Sequence, residues 1–163
     1  MENKYVEMRC DLGTLRNENM ALPAAFEVFP LGEADEEELY ACYYAAFETG
    51  DAQFFFDQNE KERREFFDTL GLGQALKESA SSALRKEGQL IGFTYTLAYG
   101  EANLHISCMC VLPEHKRMGL GKYMLLHAQK RAIEDGYRTI TLGTDTLMGA
   151  FHLYAKNRFE VVE

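Results

Sequence analysis

The 163-residue chain has no apolar run near the length of a membrane span, so a transmembrane helix is not expected. Its first segment, Met1 to Asp11, is charged and does not read as a signal peptide. Positive charge is scarce: 17 Lys and Arg stand against 26 Asp and Glu, a net charge of −9. General affinity for nucleic acid needs a phosphate-neutralising surface, and this balance excludes it. Cys10, Cys42, Cys108 and Cys110 lack the paired spacing of a zinc site, so no metal is expected. They read as small buried apolar residues of a reducing cytoplasm, with Cys108 and Cys110 on one face of a strand. Repeats and low-complexity tracts are absent as well. What remains is a soluble, cytoplasmic domain of ordinary globular composition, 47% apolar and 26% charged. It is long enough to bury a core of its own.

What the chain does have is concentrated at Val111-Leu112-Pro113-Glu114-His115-Lys116-Arg117-Met118-Gly119-Leu120-Gly121-Lys122. Gly119 and Gly121 let backbone approach a ligand without an intervening Cβ. Downstream, Leu120, Met124, Leu125, Ala128, Ala132 and Ile133 recur at helical spacing, and Asp135-Gly136 suits the end of that helix. The start of such a helix presents unpaired N–H groups and a positive dipole end. Lys116, Arg117 and Lys122 add full charges at the same spot. Upstream, Asn103 to Val111 is short, apolar-rich and followed by a proline, as a strand is. A strand–loop–helix with this chemistry suits an anionic diphosphate.

Two familiar phosphate loops do not fit. A Walker-type loop requires Ser or Thr after Gly-Lys, whereas Gly121-Lys122 precedes Tyr123 and the first glycine is missing. A dinucleotide fingerprint requires three glycines after the opening strand of a βαβ unit, and here there are two. Lys116-Arg117-Met118-Gly119-Leu120-Gly121 instead resembles the acetyl-CoA loop of the GCN5-related N-acetyltransferase (GNAT) family. That loop reads Arg/Gln-x-x-Gly-x-Gly/Ala after a strand ending in Val-x-Pro-Glu. Lys116 departs from it, keeping charge but losing the planar fork of arginine. A second segment, Ala150 to Glu160, resembles the family's downstream Leu-Tyr-x-Lys followed by Gly-Phe. There Arg158 replaces the usual glycine, and Leu147 stands where asparagine is frequent. The helix is therefore expected to end with Asn157 in the left-handed conformation. The likeness is close over Gly88 to Glu163 and only in outline before that.

The resemblance implies one acetyltransferase domain over residues 1–163, with 1–25 an N-terminal extension. It implies a mixed α/β fold of three layers, α/β/α. The central sheet would be mixed, mostly antiparallel, and splayed between strands 4 and 5, at Asn103–Val111 and Tyr137–Leu142. The elements read from the chain agree. Strands are expected at Phe26–Leu31, Ser82–Arg85, Gln89–Tyr99, Asn103–Val111, Tyr137–Leu142 and Phe159–Val162. Helices are expected from Asp35 to Phe47, Asn59 to Leu70, Gly119 to Asp135 and Met148 to Lys156, with a turn at Gln74–Ala80. Tyr5 to Leu12 reads as a short strand or an extension, followed by a polar break at Arg16–Asn19. The family's seventh strand is not accounted for: either it lies beyond this sequence, or the open edge pairs with another copy in a homodimer.

What the resemblance implies for chemistry is acetyl transfer from acetyl-CoA to the primary amine of a small or amino-acid-like acceptor. A protein lysine or N-terminus is the rival acceptor, and a non-catalytic acyl-CoA sensor the rival class. Met109, Cys110 and Val111 would meet the pantetheine arm, and Lys116, Arg117, Met118, Gly119, Leu120, Gly121 and Lys122 would cradle the diphosphate. Tyr154 occupies the position of the general acid that protonates the departing thiolate. His105 is the base candidate, its pKa suited to neutral pH, with Glu101 through water and Asp145 in reserve. His152 reads as structural. Aromatic residues from Tyr40 to Phe56 read mostly as core, with one or two lining the acceptor pocket. The acidic stretches at Glu33–Glu38 and Asp51–Glu62 read as helix starts, or as a rim that steers a cationic amine.

Overall fold

A computed structural model describes residues 4–14, 21–146 and 149–162. The polar break at Arg16–Asn19, Leu147 and the helix start at Met148 lie outside the described residues. The strands are β1 (Tyr5–Asp11), β2 (Phe26–Pro30), β3 (Ser82–Lys86), β4 (Gln89–Ala98), β5 (Asn103–Val111), β6 (Thr139–Asp145) and β7 (Glu160–Val161). The helices are α1 (Glu36–Glu48), α2 (Gln53–Phe56), α3 (Glu60–Asp68), α4 (Leu72–Ala75), α5 (Leu120–Glu134) and α6 (Gly149–Lys156). They build a seven-stranded mixed sheet in the order β2-β3-β4-β5-β6-β1-β7. Every neighbouring pair is antiparallel except β5 and β6, which α5 connects as a parallel crossover.

β1 fills the seat that the sequence left open. Its residues alternate between solvent and core, with Val6, Met8 and Cys10 buried. It pairs antiparallel with β6 from Tyr5↔Asp145 to Asp11↔Thr139, and on its other side with the short β7. Tyr5–Asp11 is therefore a strand inside the sheet rather than an appendage. The seat beside β6 is filled by Tyr5–Asp11 of the same chain.

Local sequence explains most element ends. Asp35 caps α1 by accepting from the Glu38 N–H at 2.8 Å, while Glu38 reaches back to the Asp35 N–H. Asn59 and Glu62 repeat the arrangement at α3. The acidic stretches thus serve as helix starts. α5 ends with Gly136 at φ 87°, and the Tyr137 N–H reaches the Ala132 carbonyl while the Gly136 N–H reaches Ile133. That closure uses the Tyr137 N–H, while Arg138 bonds Ala102 and Leu12, and β6 begins at Thr139 rather than at the expected Tyr137.

The end of α6 departs from expectation. The left-handed residue is Arg158, at φ 75°, and not Asn157. The Phe159 N–H bonds back to the Tyr154 carbonyl, so Arg158 occupies the C-terminal position where glycine is usual. Asn157 is instead buried, its Nδ2 donating to the Leu153 carbonyl at 2.7 Å and its own carbonyl accepting from Gln129 at 3.0 Å.

A single irregularity shapes the centre of the sheet. Tyr95 pairs with Cys108 but Thr96 pairs with Ile106, which leaves Ser107 as an extra residue on β5. Tyr95 and Thr96 point to opposite faces, so Cys108 and Ile106 must do so too. Cys108 and Cys110 accordingly join Tyr43, Phe67, Phe93 and Tyr95 under α1 and α3, both facing the same side as expected. Leu104 and Ile106 join Leu125, Ala128 and Ile140 under α5.

Candidate active site

The bulge at Ser107 also marks where the sheet opens. β5 pairs with β6 only from Asn103↔Thr139 to Ile106↔Leu142. β5 continues to Val111 and β6 to Asp145, so beyond Ile106 the two strands diverge around a wedge. The edge of β5 facing that wedge carries backbone N–H and C=O groups with no strand beside them. An extended, amide-bearing ligand can pair with such an edge as an added strand does.

A cleft of 790 Å³ fills the wedge, within the range of small-molecule sites. Met109, Cys110 and Val111 of β5 form one wall, and Leu153 and Tyr154 of α6 another. At one end stands the glycine loop: Lys116, Arg117, Gly119, Leu120, Gly121 and Lys122 all reach the cleft. Phe47 of α1 and the turn Thr49-Gly50-Asp51-Ala52 also line it.

The loop is built for an anion. Gly119 caps α5 in the left-handed conformation, φ 80° and ψ 9°, with open space where a Cβ would point. Arg117, also left-handed at φ 68°, turns the chain just before it. The first bond of α5 runs from the Tyr123 N–H to the Gly119 carbonyl, so the N–H groups of Gly119 to Gly121 have no acceptor inside the helix. Gly121 sits close to α6: a Cβ there would lie 3.3 Å from Leu153 Cδ2. Backbone donors, a helix dipole and exposed cations therefore converge, as a diphosphate requires.

Tyr154 is 8% exposed, and burial raises its hydroxyl pKa far above the ordinary phenol value. Its backbone position is fixed because its carbonyl accepts from both Asn157 and Phe159. The phenol is thus held protonated on the wall facing β5. Cys110, the cleft thiol, is raised well above its ordinary value by burial, which keeps it from acting as a nucleophile at neutral pH.

Not every residue expected at the site is in the cleft wall. Met118 points away and is 42% exposed. His105 lies on the paired part of β5, four residues before Met109, roughly 13 Å along the strand. Its Nδ1 bonds Thr141 Oγ1 at 2.9 Å, its ring packs on Tyr99, and burial lowers its pKa below 6.5. Glu101 is exposed in the turn between β4 and β5, and Asp145 ends β6. His152 is exposed on α6 against Phe151. Of the expected aromatic wall, Phe47 reaches the cleft, while Tyr43 and Phe55 are fully buried.

Two lining residues had no sequence signal as site residues, Thr49 and His115, while Asp51 belongs to the acidic stretch that reads as a helix start or as a rim steering a cationic amine. Gly50-Asp51 reads locally as a chain break, and only the packing of α1 against β4 and β5 brings it to the cleft. Among the described lining residues Asp51 is the sole carboxylate. α1 itself is fixed by Arg85 of β3, whose Nη1 and Nη2 donate to both Glu38 carboxylate oxygens at 2.9 Å. Among the described residues no metal-binding cluster and no membrane-spanning helix is present.

Solved structures share this architecture. A GCN5-related N-acetyltransferase from Sphaerobacter thermophilus superposes with a TM-score of 0.74 at 16% identity, over 98% of this chain and 48% of that one. A second, from Kribbella flavida, gives 0.59 at 18% identity, over 98% of this chain and 56% of that one. The chain therefore spans about half the length of these two relatives. The PaiA N-acetyltransferase from Thermoplasma acidophilum, in complex with coenzyme A, gives 0.65 at 18% identity, over 81% of this chain and 87% of that one. The ribosomal-protein-S18-alanine N-acetyltransferase from Escherichia coli gives 0.60 at 21% identity, over 80% and 75%. No curated protein matches the chain in sequence. The acetyltransferase (GNAT) family profile matches residues 33–159, most of the chain, so the protein belongs to that family.

Proposed function

We propose that the chain transfers an acetyl group from acetyl-CoA to a primary amine of a small or amino-acid-like acceptor, by direct attack while both are bound. The observation that carries this reading is the make-up of the cleft lining: cations and backbone donors from the loop, Asp51 from the turn after α1, and Tyr154 from α6. The diphosphate lies on the loop from Arg117 to Lys122. The pantetheine amides pair with the β5 edge at Met109 and Val111, with Cys110 beside them. Acetyl-CoA then supplies the thioester, and the chain's residues orient it and manage protons.

The acceptor arrives as an ammonium ion, and at pH 7 only about one part in a thousand of an amine of pKa near 10 is neutral, a deficit of about 4 kcal/mol. Asp51 attracts the cation to the cleft, in keeping with the net charge of −9. His105, half-buried and outside the cleft wall, is the proton acceptor in this reading, reached through a relay of waters rather than by direct contact with the amine. Tyr154 donates to the departing thiolate. Phe47, Thr49 and Ala52 line the cleft together with Asp51 and would meet the acceptor there.

Thiol release from acetyl-CoA across a panel of small amines, amino acids and lysine-bearing peptides tests the reading. Turnover with a small cationic amine, with a KM raised at least tenfold in Asp51→Asn, is the expected result. Turnover with peptides alone would transfer the activity to a protein acceptor. CoA binding with no thiol release from any acceptor would make the chain a sensor.

A further inference from the structure

Away from the cleft, a pocket of 440 Å³ lies between the β2 side of the sheet and α5. It shares no lining residue with the cleft. His127 and Arg131 reach it from α5, eight and twelve residues past Gly119, or about 12 and 18 Å along the helix. Val28, Leu31 and Leu76 form its apolar wall, and Leu76 is 49% exposed. Lys77 and Arg131 bring positive charge. Among the described lining residues Glu78 is the sole carboxylate, and it accepts a hydrogen bond from the Tyr137 hydroxyl. Arg131 also meets Glu134 at 3.3 Å, an exposed pair on the same helix that restrains it weakly.

His127 lines the pocket with its ring stacked on Tyr123. Its Nδ1 is shielded from solvent and has no hydrogen-bond partner among the described residues. Burial, with Arg131 and Lys130 nearby, lowers its pKa, so the ring is neutral at pH 7 and offers one donor and one acceptor. Shielded polar atoms in folded proteins are ordinarily paired. A pocket with an apolar wall and two cations suits an amphiphilic anion better than a bare phosphate, which would leave the apolar wall unused.

We propose that this pocket is a second binding site, for a small aliphatic carboxylate. Its carboxylate lies between Lys77 and Arg131, its chain rests on Val28, Leu31 and Leu76, and His127 closes the polar side. The site is independent of the acetyl-transfer reading and survives if that reading fails.

The test uses the intact chain and hexanoate, followed by the ring signals of His127 in NMR. With 4 histidines in the chain, those signals are few and separable. Hexylamine serves as the charge-reversed probe, and Arg131→Gln and Lys77→Gln as variants. The expected result is a saturable His127 response with a Kd on the order of 1 mM. It weakens at least tenfold in either variant, and CoA affinity stays unchanged. No saturable response by roughly 20 mM overturns the proposal, as does an equal response in the variants or with hexylamine.

Discussion

Gly92 of β4 stands so close to Cys110 of β5 that a Cβ added to it would lie 2.5 Å from the Cys110 carbonyl oxygen and 3.3 Å from Val111 Cα. The neighbour is backbone, so it cannot swing aside. Gly92 pairs with Val111 in register, which places this close approach directly behind the cleft wall. Gly92→Ala should destabilise the fold by about 1–3 kcal/mol and weaken CoA binding, read by urea unfolding and by CoA titration. Gly143 makes the comparison. A Cβ there would meet only the ring of Tyr5, the end of a flexible side chain that is 74% exposed. Gly143→Ala should therefore cost less than about 1 kcal/mol and leave CoA affinity intact.

Tyr154→Phe removes the hydroxyl and keeps the ring that packs against Phe159. If the phenol protonates the leaving thiolate, turnover should fall by about 10²–10⁴-fold, while CoA affinity and the melting temperature change little. Unchanged turnover would take Tyr154 out of the reaction.

Arg158 holds a left-handed backbone at φ 75° where glycine would be free of strain. Arg158→Gly should raise stability by about 1 kcal/mol, seen as a higher unfolding midpoint in urea with an unchanged slope. A destabilised variant would mean that the arginine side chain contributes more than its backbone costs.

Burial lowers the pKa of both His105 and His127 below the ordinary histidine value of 6.5. The unfolded chain then takes up protons that the folded chain resists, so stability rises with pH across that window. The contribution is complete above about pH 6.5 and is lost as the pH falls through the lower values of the folded state. The unfolding midpoint should therefore fall on acidification below about pH 6.5, and the double variant His105→Asn, His127→Gln should show a shallower fall. An identical pH profile in the variant would refute the assignment.

The sequence by itself determined the elements that rest on local chemistry. Asp35 and Asn59 announce helix starts because a capping box is a four-residue affair, and Gly136 announces a helix end because a left-handed residue is needed there. The strand–loop–helix around Lys116 to Lys122 was legible because its glycines, cations and helix start are contiguous in the chain. Tyr154 was legible only through its resemblance to a family motif. Contacts between distant segments were decided by tertiary structure alone. Nothing local in Tyr5–Asp11 says that it lies between β6 and β7, since an alternating strand fits any half-buried seat. The bulge at Ser107 leaves no mark on the burial alternation of β5, yet it sorts Ile106 and Cys108 to opposite faces and coincides with the parting from β6. Asp51 and His105 depended on the same geometry. The packing of α1 carries Asp51, one carboxylate of an acidic stretch, to the cleft, while the parallel pairing with Thr141 holds His105 outside the wall. A side chain's place in a cleft is set by where its element packs, and that is a property of the whole sheet.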